Sequence, residues 1–386
     1  MQGSTISNLP TQPLPNSAYI HVPFCHQRCP YCNFTVVADR ADWMERYIDC
    51  VTTELRLLGS PHSMQTLFIG GGTPTLLPAH LMQRLFDEIH QWLPMTSSQS
   101  ELTIEANPND VSDELCRLLH KNGVNRISIG GQAFNNAKLA TLGRDHQSDQ
   151  LQQAIHVASQ WFPEVSVDLI FGTPGESIEG WMEDLAVATS LPITHISTYG
   201  LTYEKGARYW SQLQRGEIIA ATEETELQMY LNAIKSLKSV GFEHYEVSNF
   251  SLPGSACRHN ETYWQGEPWY AFGPGAASFV DGIRRVNHRS TSTYLKRIES
   301  GESPIAEEEQ LDWPTWTRER FVFGMRKLSG VDWEVLKVVG EPETLIFIRE
   351  QISRHEELGW LEWNGAKIRM TNQALPISDG LWKDYL

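Results

Sequence analysis

The chain has 386 residues, 41% hydrophobic and 20% charged, which suits a globular protein with one large domain and a smaller one. No apolar run approaches the roughly 20 residues of a membrane-spanning helix. Lys and Arg number 31 against 47 Asp and Glu, a net of −16 that repels nucleic acid phosphates, and no basic run overrides it, so an RNA or DNA substrate is disfavoured.

Residues 1–17 lack the basic-then-apolar order of a secretory signal and read as a flexible, Pro-containing lead-in. From residue 18 to about 250, short apolar runs alternate with amphipathic stretches. The run 18–24 reads as a strand. In 41–58, Trp43, Met44, Tyr47, Ile48, Val51, Leu55 and Leu58 share one helical face. Strand 65–74 is followed by helix 78–93, strand 101–108 by helix 112–123, which opens on Ser112 and closes on Gly123. Strands 126–134, 165–174 and 195–204 precede helices 148–162, 177–191 and 223–240. Six such units require parallel strands and right-handed crossovers. The result is an α/β fold, a doubly wound sheet or a barrel, and six units rather than the eight of a closed barrel suggest a partial (β/α)6 barrel. Residues 251–304, rich in Gly, aromatics and His, read as connecting loop. Residues 305–386 open on the acidic "AEEEQLDW" and read as a small helical, winged-helix-like domain with a hairpin around Asn364-Gly365.

The polar and glycine signals fall at the strand ends: "FCHQRC" (24–29), "GGGTP" (70–74), "EANP" (105–108), "GGQ" (130–132), Asp168 within the fifth strand and "STYG" (197–200). In parallel α/β folds the carboxyl ends of the strands form the active-site rim. Each signal alone is usually a turn. Three of the six cysteines, Cys25, Cys29 and Cys32, lie within eight positions, whereas Cys50, Cys116 and Cys257 are scattered. Without a secretory signal a reducing, cytoplasmic setting is expected, where clustered thiols mean metal or redox chemistry. Structural zinc needs a fourth ligand, which His26 or a distant His would have to supply. Disulfides leave an odd thiol. An iron–sulfur cluster on three thiolates leaves one iron open to a substrate or cofactor. Spacing and rim together favour the cluster over zinc or inert thiols.

CxxxCxxC directly after a first strand, with an aromatic before the third Cys, resembles the radical S-adenosylmethionine superfamily. The motifs "YIHVPFCHQRCPYCNF", "FIGGGTPTLL", "EANP", "RISIGGQAF…LGRDH", "VDLIFGTPGES" and "YEVSNF…CRHNETYW" follow the order of the oxygen-independent coproporphyrinogen III oxidase family over residues 18 to roughly 375. The resemblance implies a [4Fe–4S] cluster on Cys25, Cys29 and Cys32, with S-adenosylmethionine on its open iron. It implies cofactor contacts at Tyr19, Tyr31, Gly71, Gly72, Thr73, Glu105, Gln132, Arg144, Asp168 and Gly200. Glu105 and Asp168 suit ribose hydroxyls or an amine, Arg144 a carboxylate, and Gln132 either. Outside this context such residues more often serve surface or helix-cap roles.

The true oxidases of that family resemble one another in a long N-terminal extension and a CxxxCxFCxC loop with a fourth Cys. Here 24 residues precede Cys25, and Asn33-Phe34 follow Cys32. The HemW-type heme chaperone branch resembles this chain in CxxxCxxCxF, met by Phe34, and in HNxxYW, met by "HNETYW" at 259–264. This branch implies binding of heme and its delivery to an acceptor hemoprotein, such as a membrane-associated respiratory enzyme. The heme-binding candidates are His259, Asn260, Tyr263 and Trp264. His259, Cys257 and Tyr263 can ligate heme iron, and Trp264, Trp269, Tyr270 and Phe272 can cover a macrocycle. Equally, His259 and Asn260 would tie down a loop while the aromatics join the core. His21, His244 and His288 are weaker candidates. The alternatives are an oxygen-independent coproporphyrinogen III oxidase and, against the charge, an RNA-modifying radical enzyme. Departures from the usual pattern are Asn33 for Asp, Gly131 for Val and Ala277 for His. The sequence leaves open whether the protein is catalytic, which heme acceptor it serves, and whether it is a monomer or a homodimer.

Overall fold

The computed structural model describes residues 9, 10 and 12–386. Most of the lead-in expected over 1–17 lies outside the described residues. Six parallel strands lie side by side in chain order: β1 Ser17–Val22, β2 Thr66–Gly71, β3 Glu101–Ala106, β4 Arg126–Gln132, β5 Glu164–Phe171 and β6 His195–Gly200. Their connections carry α1 Met44–Arg56, α2 Ala79–Trp92, α3 Asp113–Lys121, α4 Ser148–Ser159 and α5 Ile178–Ser190, and α6 Glu223–Ser239 follows β6. Ser112, Ser177 and Thr222 accept backbone N–H groups at the starts of α3, α5 and α6, as good N-caps do. The period of two along the strands divides two environments. Ile20, Ile69, Ile104, Ile127, Val167 and Ile196 are fully buried under the helices. The alternate residues, among them Tyr19, Phe68, Thr103, Glu105, Ser128, Asp168 and Ser197, face the concave interior.

The expected connecting loop over 251–304 is instead built of short elements, and a hairpin precedes it. β7 Glu243–Glu246 and β8 Asn249–Ser251 form a hairpin beside β6, and α7 Arg258–Trp264 follows. Then β9 Tyr270–Phe272 joins the sheet as a seventh parallel strand, pairing Ala18 with Tyr270 and Ile20 with Phe272. The sheet order is β9-β1-β2-β3-β4-β5-β6-β8-β7, so it ends on two different edges and stays open. These elements run three to seven residues and are interrupted by glycines, too short for a periodic signal. β10 Ala277–Val280, β11 Ile283–Asn287 and β12 Ile305–Gln310 make a separate antiparallel sheet, with α8 Thr291–Glu299 between the last two. The acidic stretch is therefore a strand, not the start of the C-terminal domain. Its Glu308 and Glu309 lie opposite Arg285 and Arg284 and pair with them at 2.8 and 3.0 Å.

The C-terminal unit begins at α9 Trp313–Met325 and continues through β13 Val331–Asp332, α10 Trp333–Val339, α11 Pro342–Glu357, β14 Leu361–Trp363 and β15 Lys367–Met370. Helix, strand, two helices and a hairpin, with strand order β13-β15-β14, is a winged-helix arrangement. It is stitched to the barrel through Leu328 N–H donating to Tyr245 C=O at 3.0 Å and Lys327 pairing with Glu261 at 3.1 Å. Among the described residues no helix is long and apolar enough to cross a membrane.

Candidate functional site

The loop after β1 is closed at its base, where Phe24–Cys25 pairs in parallel with Val37–Ala38. Inside it the Cys32 amide donates to Cys29 C=O at 3.2 Å, which puts those two cysteines on one turn. Beside it runs the glycine loop that ends β2. Gly72 N–H donates to Val22 C=O at 2.8 Å and Thr73 N–H to Phe24 C=O at 2.7 Å. Gly71 holds φ at 107°, and a β-carbon there would stand 2.3 Å from the His21 ring. One at Gly72 would stand 2.6 Å from the Phe24 carbonyl oxygen, so the close approach demands glycine at both positions. Thr73 Oγ1 lies 3.8 Å from Cys25 Sγ, and Arg144 Nη1 lies 3.5 Å from Cys29 Sγ.

At the end of β4 the register slips between Ile129 and Gln132, and Gln132 takes φ of 70°, a left-handed conformation unusual for a residue with a side chain. The freed carbonyls are held from the next loop. Arg144 Nη2 donates to Gly130 C=O at 2.6 Å, and His146 Nε2 bonds Gly131 C=O at 3.0 Å. Glu105 accepts from Gly71 N–H at 2.7 Å, and Asp168 accepts from Ser128 Oγ at 3.3 Å.

Of the residues that the motifs single out for cluster and cofactor, all but Tyr19 and Gly200 line one cleft. Tyr19 sits below it, its hydroxyl 3.1 Å from His21 Nδ1, and Gly200 ends β6 exposed at the rim. The cleft also takes in Asn107, Ser128 and Asp145. Sequence reasoning missed these three, although Asn107 and Asp145 stand inside motifs it used and Ser128 shares a strand face with Gly130.

Burial pushes the Cys25 thiol up to about 11 and raises Cys32, with the neighbouring cysteines adding to both. Burial also raises Glu105 to about 7, with the charge of Asp168 adding, and it raises Asp168. Cys25, Cys29 and Cys32 are all half-buried beside the cleft, and a multivalent cation among them would supply the charge that three thiolates need. Among the described residues no three ligating side chains converge on one ion. Thiols spread around a cleft suit the separate irons of a cluster. Arg144 Nε is buried with no partner, a donor left for a ligand in the cleft. The residues present therefore fit a cluster with a small zwitterionic cofactor.

The second motif lies elsewhere. α7 packs across the opposite end of the barrel, against the first residues of the strands. Glu101 accepts from the amides of Arg258 and His259 at 3.0 and 2.9 Å, and Cys257 Sγ lies 3.5 Å from the same carboxylate. His259 is 1% exposed, with Nδ1 3.0 Å from Thr66 Oγ1, Nε2 2.8 Å from the Tyr263 hydroxyl, and its ring centroid 5.3 Å from that of Phe68. Burial lowers its pKa to about 3, so it is neutral. Thr66 begins β2 and Gly71 ends it, ~16 Å apart along the strand. Trp264 carries the Arg326 guanidinium 4.5 Å over its ring. Asn260 is half-buried. "HNETYW" thus plugs the far end of the barrel, with its imidazole fully engaged. His21 is engaged at both ring nitrogens, by Tyr19 and by Thr35 C=O at 2.7 Å. His244 stacks on Phe250 with centroids 4.2 Å apart. His288 is half-buried, and Ala277 is exposed opposite Val286.

Residues 19–188 match the radical SAM superfamily. The heme chaperone HemW of Lactococcus lactis subsp. lactis (strain IL1403) is 34% identical over 373 residues, 96% of this chain and 97% of that one. Its counterpart in Bacillus subtilis (strain 168) is 33% identical over 320 residues, 82% of this chain and 84% of that one. Among solved structures, coproporphyrinogen III oxidase (HemN) from Escherichia coli, a radical SAM enzyme, superposes with a TM-score of 0.84 over 96% of this chain and 90% of that one. At 18% identity that likeness speaks for the fold alone. Identity with the HemW chains runs nearly end to end on both sides, so this protein belongs to the HemW family of the radical SAM superfamily.

Proposed function

We propose that this protein is a cytoplasmic heme chaperone. It carries a [4Fe–4S] cluster and S-adenosylmethionine at the rim of its open barrel, binds heme, and passes the heme to an acceptor hemoprotein such as a membrane-associated respiratory enzyme. The observation that carries the reading is the likeness to heme chaperones over 96% of the chain. Asn33-Phe34 in place of a fourth thiol, with Phe34 70% exposed at the cleft mouth, is in keeping with it.

Cys25, Cys29 and Cys32 hold the cluster, and Thr73 and Arg144 steady the charge on the first two. Arg144 Nε is free to donate to the cofactor carboxylate, while Gly71 and Gly72 let the backbone come close to it. Glu105 and Asp168 accept from its amine or ribose hydroxyls. When bound, cluster and cofactor together supply one-electron reductive chemistry.

The test is an anaerobic reconstitution followed by two assays on one preparation. Titration with heme is expected to saturate near one heme per chain, with subsequent transfer to an apo-hemoprotein and no decarboxylation of coproporphyrinogen III. Decarboxylation without heme uptake would replace this reading with the oxidase one.

A further inference from the structure

Most imidazoles of this chain are already engaged. His259 and His21 are bonded at both ring nitrogens, and so are His195, between Ser166 Oγ and Tyr245 OH, and His355, between Tyr385 OH and Asp384. A heme iron at His259 would have to break its bond to Tyr263 or Thr66 and open the plug beneath the barrel. Cys257, beside it, is 2% exposed. Three histidines whose rings bond nothing among the described residues, His80, His120 and His156, stand exposed on α2, α3 and α4, on the outside of the barrel where nothing shelters a macrocycle.

His288 differs from all of these. Its ring bonds nothing among the described residues, yet it is half-buried and its backbone is fixed at both ends: His288 N–H donates to Pro304 C=O at 2.9 Å, and His288 C=O accepts from Gly275 N–H at 3.1 Å. Gly275 in turn abuts the cysteine loop, since a β-carbon on it would stand 2.5 Å from Thr35 Oγ1. Thr35 follows Phe34, whose apolar ring is 70% exposed. Arg289, next in the chain, is exposed and can meet a carboxylate. The backbone thus links a free imidazole on a rigid mount, through Gly275, to the cysteine loop, with the uncovered Phe34 ring one residue from Thr35 and the Arg289 cation one residue from His288. They match an iron, an apolar macrocycle and its propionates.

We infer that heme docks on this rim, with His288 as axial ligand to its iron and Phe34 against the macrocycle, while "HNETYW" acts as a structural plug. The inference rests on the heme-chaperone reading and names the site within it. Because the half-buried His288 ring bonds nothing among the described residues, His288→Ala is expected to leave the fold intact, which an unchanged [4Fe–4S] absorbance verifies. The test titrates ferric heme into wild type, His288→Ala and His259→Gln, following the Soret band and the ferric heme EPR signal. His288→Ala is expected to weaken heme binding at least about tenfold and to lose the imidazole signature, which added imidazole restores. His259→Gln is expected to lower thermal stability and keep the wild-type heme spectrum. Wild-type affinity and spectrum in His288→Ala would overturn the site while leaving the chaperone reading in place. No heme uptake by the wild type would remove both.

Discussion

Arg144 touches more of the cleft than any single cysteine does: one nitrogen reaches Cys29, another holds Gly130 C=O, and the third is buried without a partner. On the proposed ligand set, losing a thiolate has the larger effect, because a cluster left with two protein ligands is not expected to be retained. Cys29→Ala is expected to abolish the visible absorbance of the reconstituted protein; an intact [4Fe–4S] spectrum in that variant would refute the ligand set. The glycines are equally testable. Gly71→Ala combines a positive φ with a β-carbon inside the His21 ring, and should cost about 3 kcal/mol or more, read as a lower urea midpoint. Gly131, where valine is the usual residue, has a physical reason here. A β-carbon on it would meet Leu151 Cδ2 at 2.6 Å, so the leucine fills the space a larger residue would use. Gly131→Val should therefore destabilise by about 1–3 kcal/mol through overpacking, and Leu151→Ala introduced with it should recover part of the loss. A purely additive double variant would contradict that exchange.

At the scale of elements, a buried carboxylate ties α1 to the segment that follows β9. Glu54 accepts from Gly273 N–H at 2.8 Å, Asn287 Nδ2 at 2.6 Å and Tyr294 OH at 2.7 Å. Burial raises its pKa from 4.5 to about 7 in spite of those donors. A raised pKa means the folded state holds the proton more tightly. Its stabilising share is whole below pH 4.5 and is lost as pH rises through about 7. The stability difference between wild type and Glu54→Gln should thus shift against the wild type between pH 5 and 8, by something on the order of 3 kcal/mol. A flat difference in urea unfolding would deny the shift. A second tie joins the connections after β4 and β5, where Lys138 Nζ lies 2.5 Å from Glu176 and 2.9 Å from Asp184 of α5, with all three side chains buried. Lys138→Met leaves two carboxylates without their cation and should cost about 3–5 kcal/mol. The parallel units and their caps were legible in the sequence because each helix is long enough to show its period and each strand ends on a turn. The region 251–304 was not. Its strand β9 is set by β1, far earlier in the chain, and β11 pairs with the glutamates of β12 beyond the region, so no local window contains those partners. The rim motifs pointed to residues that do share a cleft. "HNETYW" was read for its chemistry, whereas its engaged imidazole follows from Thr66, distant in sequence and silent as a motif.

For the whole molecule, the winged-helix unit and the barrel are mutually dependent. Arg326 covers the Trp264 ring and lies 3.7 Å from Glu246, whose side chain is wholly buried and whose Oε2 has no other partner. A chain ending after Asp312 would uncover that carboxylate and the aromatic plug around it. Such a truncation should fail to give a cooperative melt, and a sharp wild-type-like transition would count against the dependence. β9 has one more consequence, for the order of events in the cell. The strand that launches the cysteine loop is flanked on one side by residues 270–272, synthesised only after two-thirds of the chain. Until then β1 has an open edge, and the loop lacks the neighbour at Gly275 that backs Thr35. A growing chain can build its six units in turn from the N-terminus, but the wall beside its thiols arrives late. The backing of the cysteine loop is therefore complete only once residues 270–275 have joined the six units made before them.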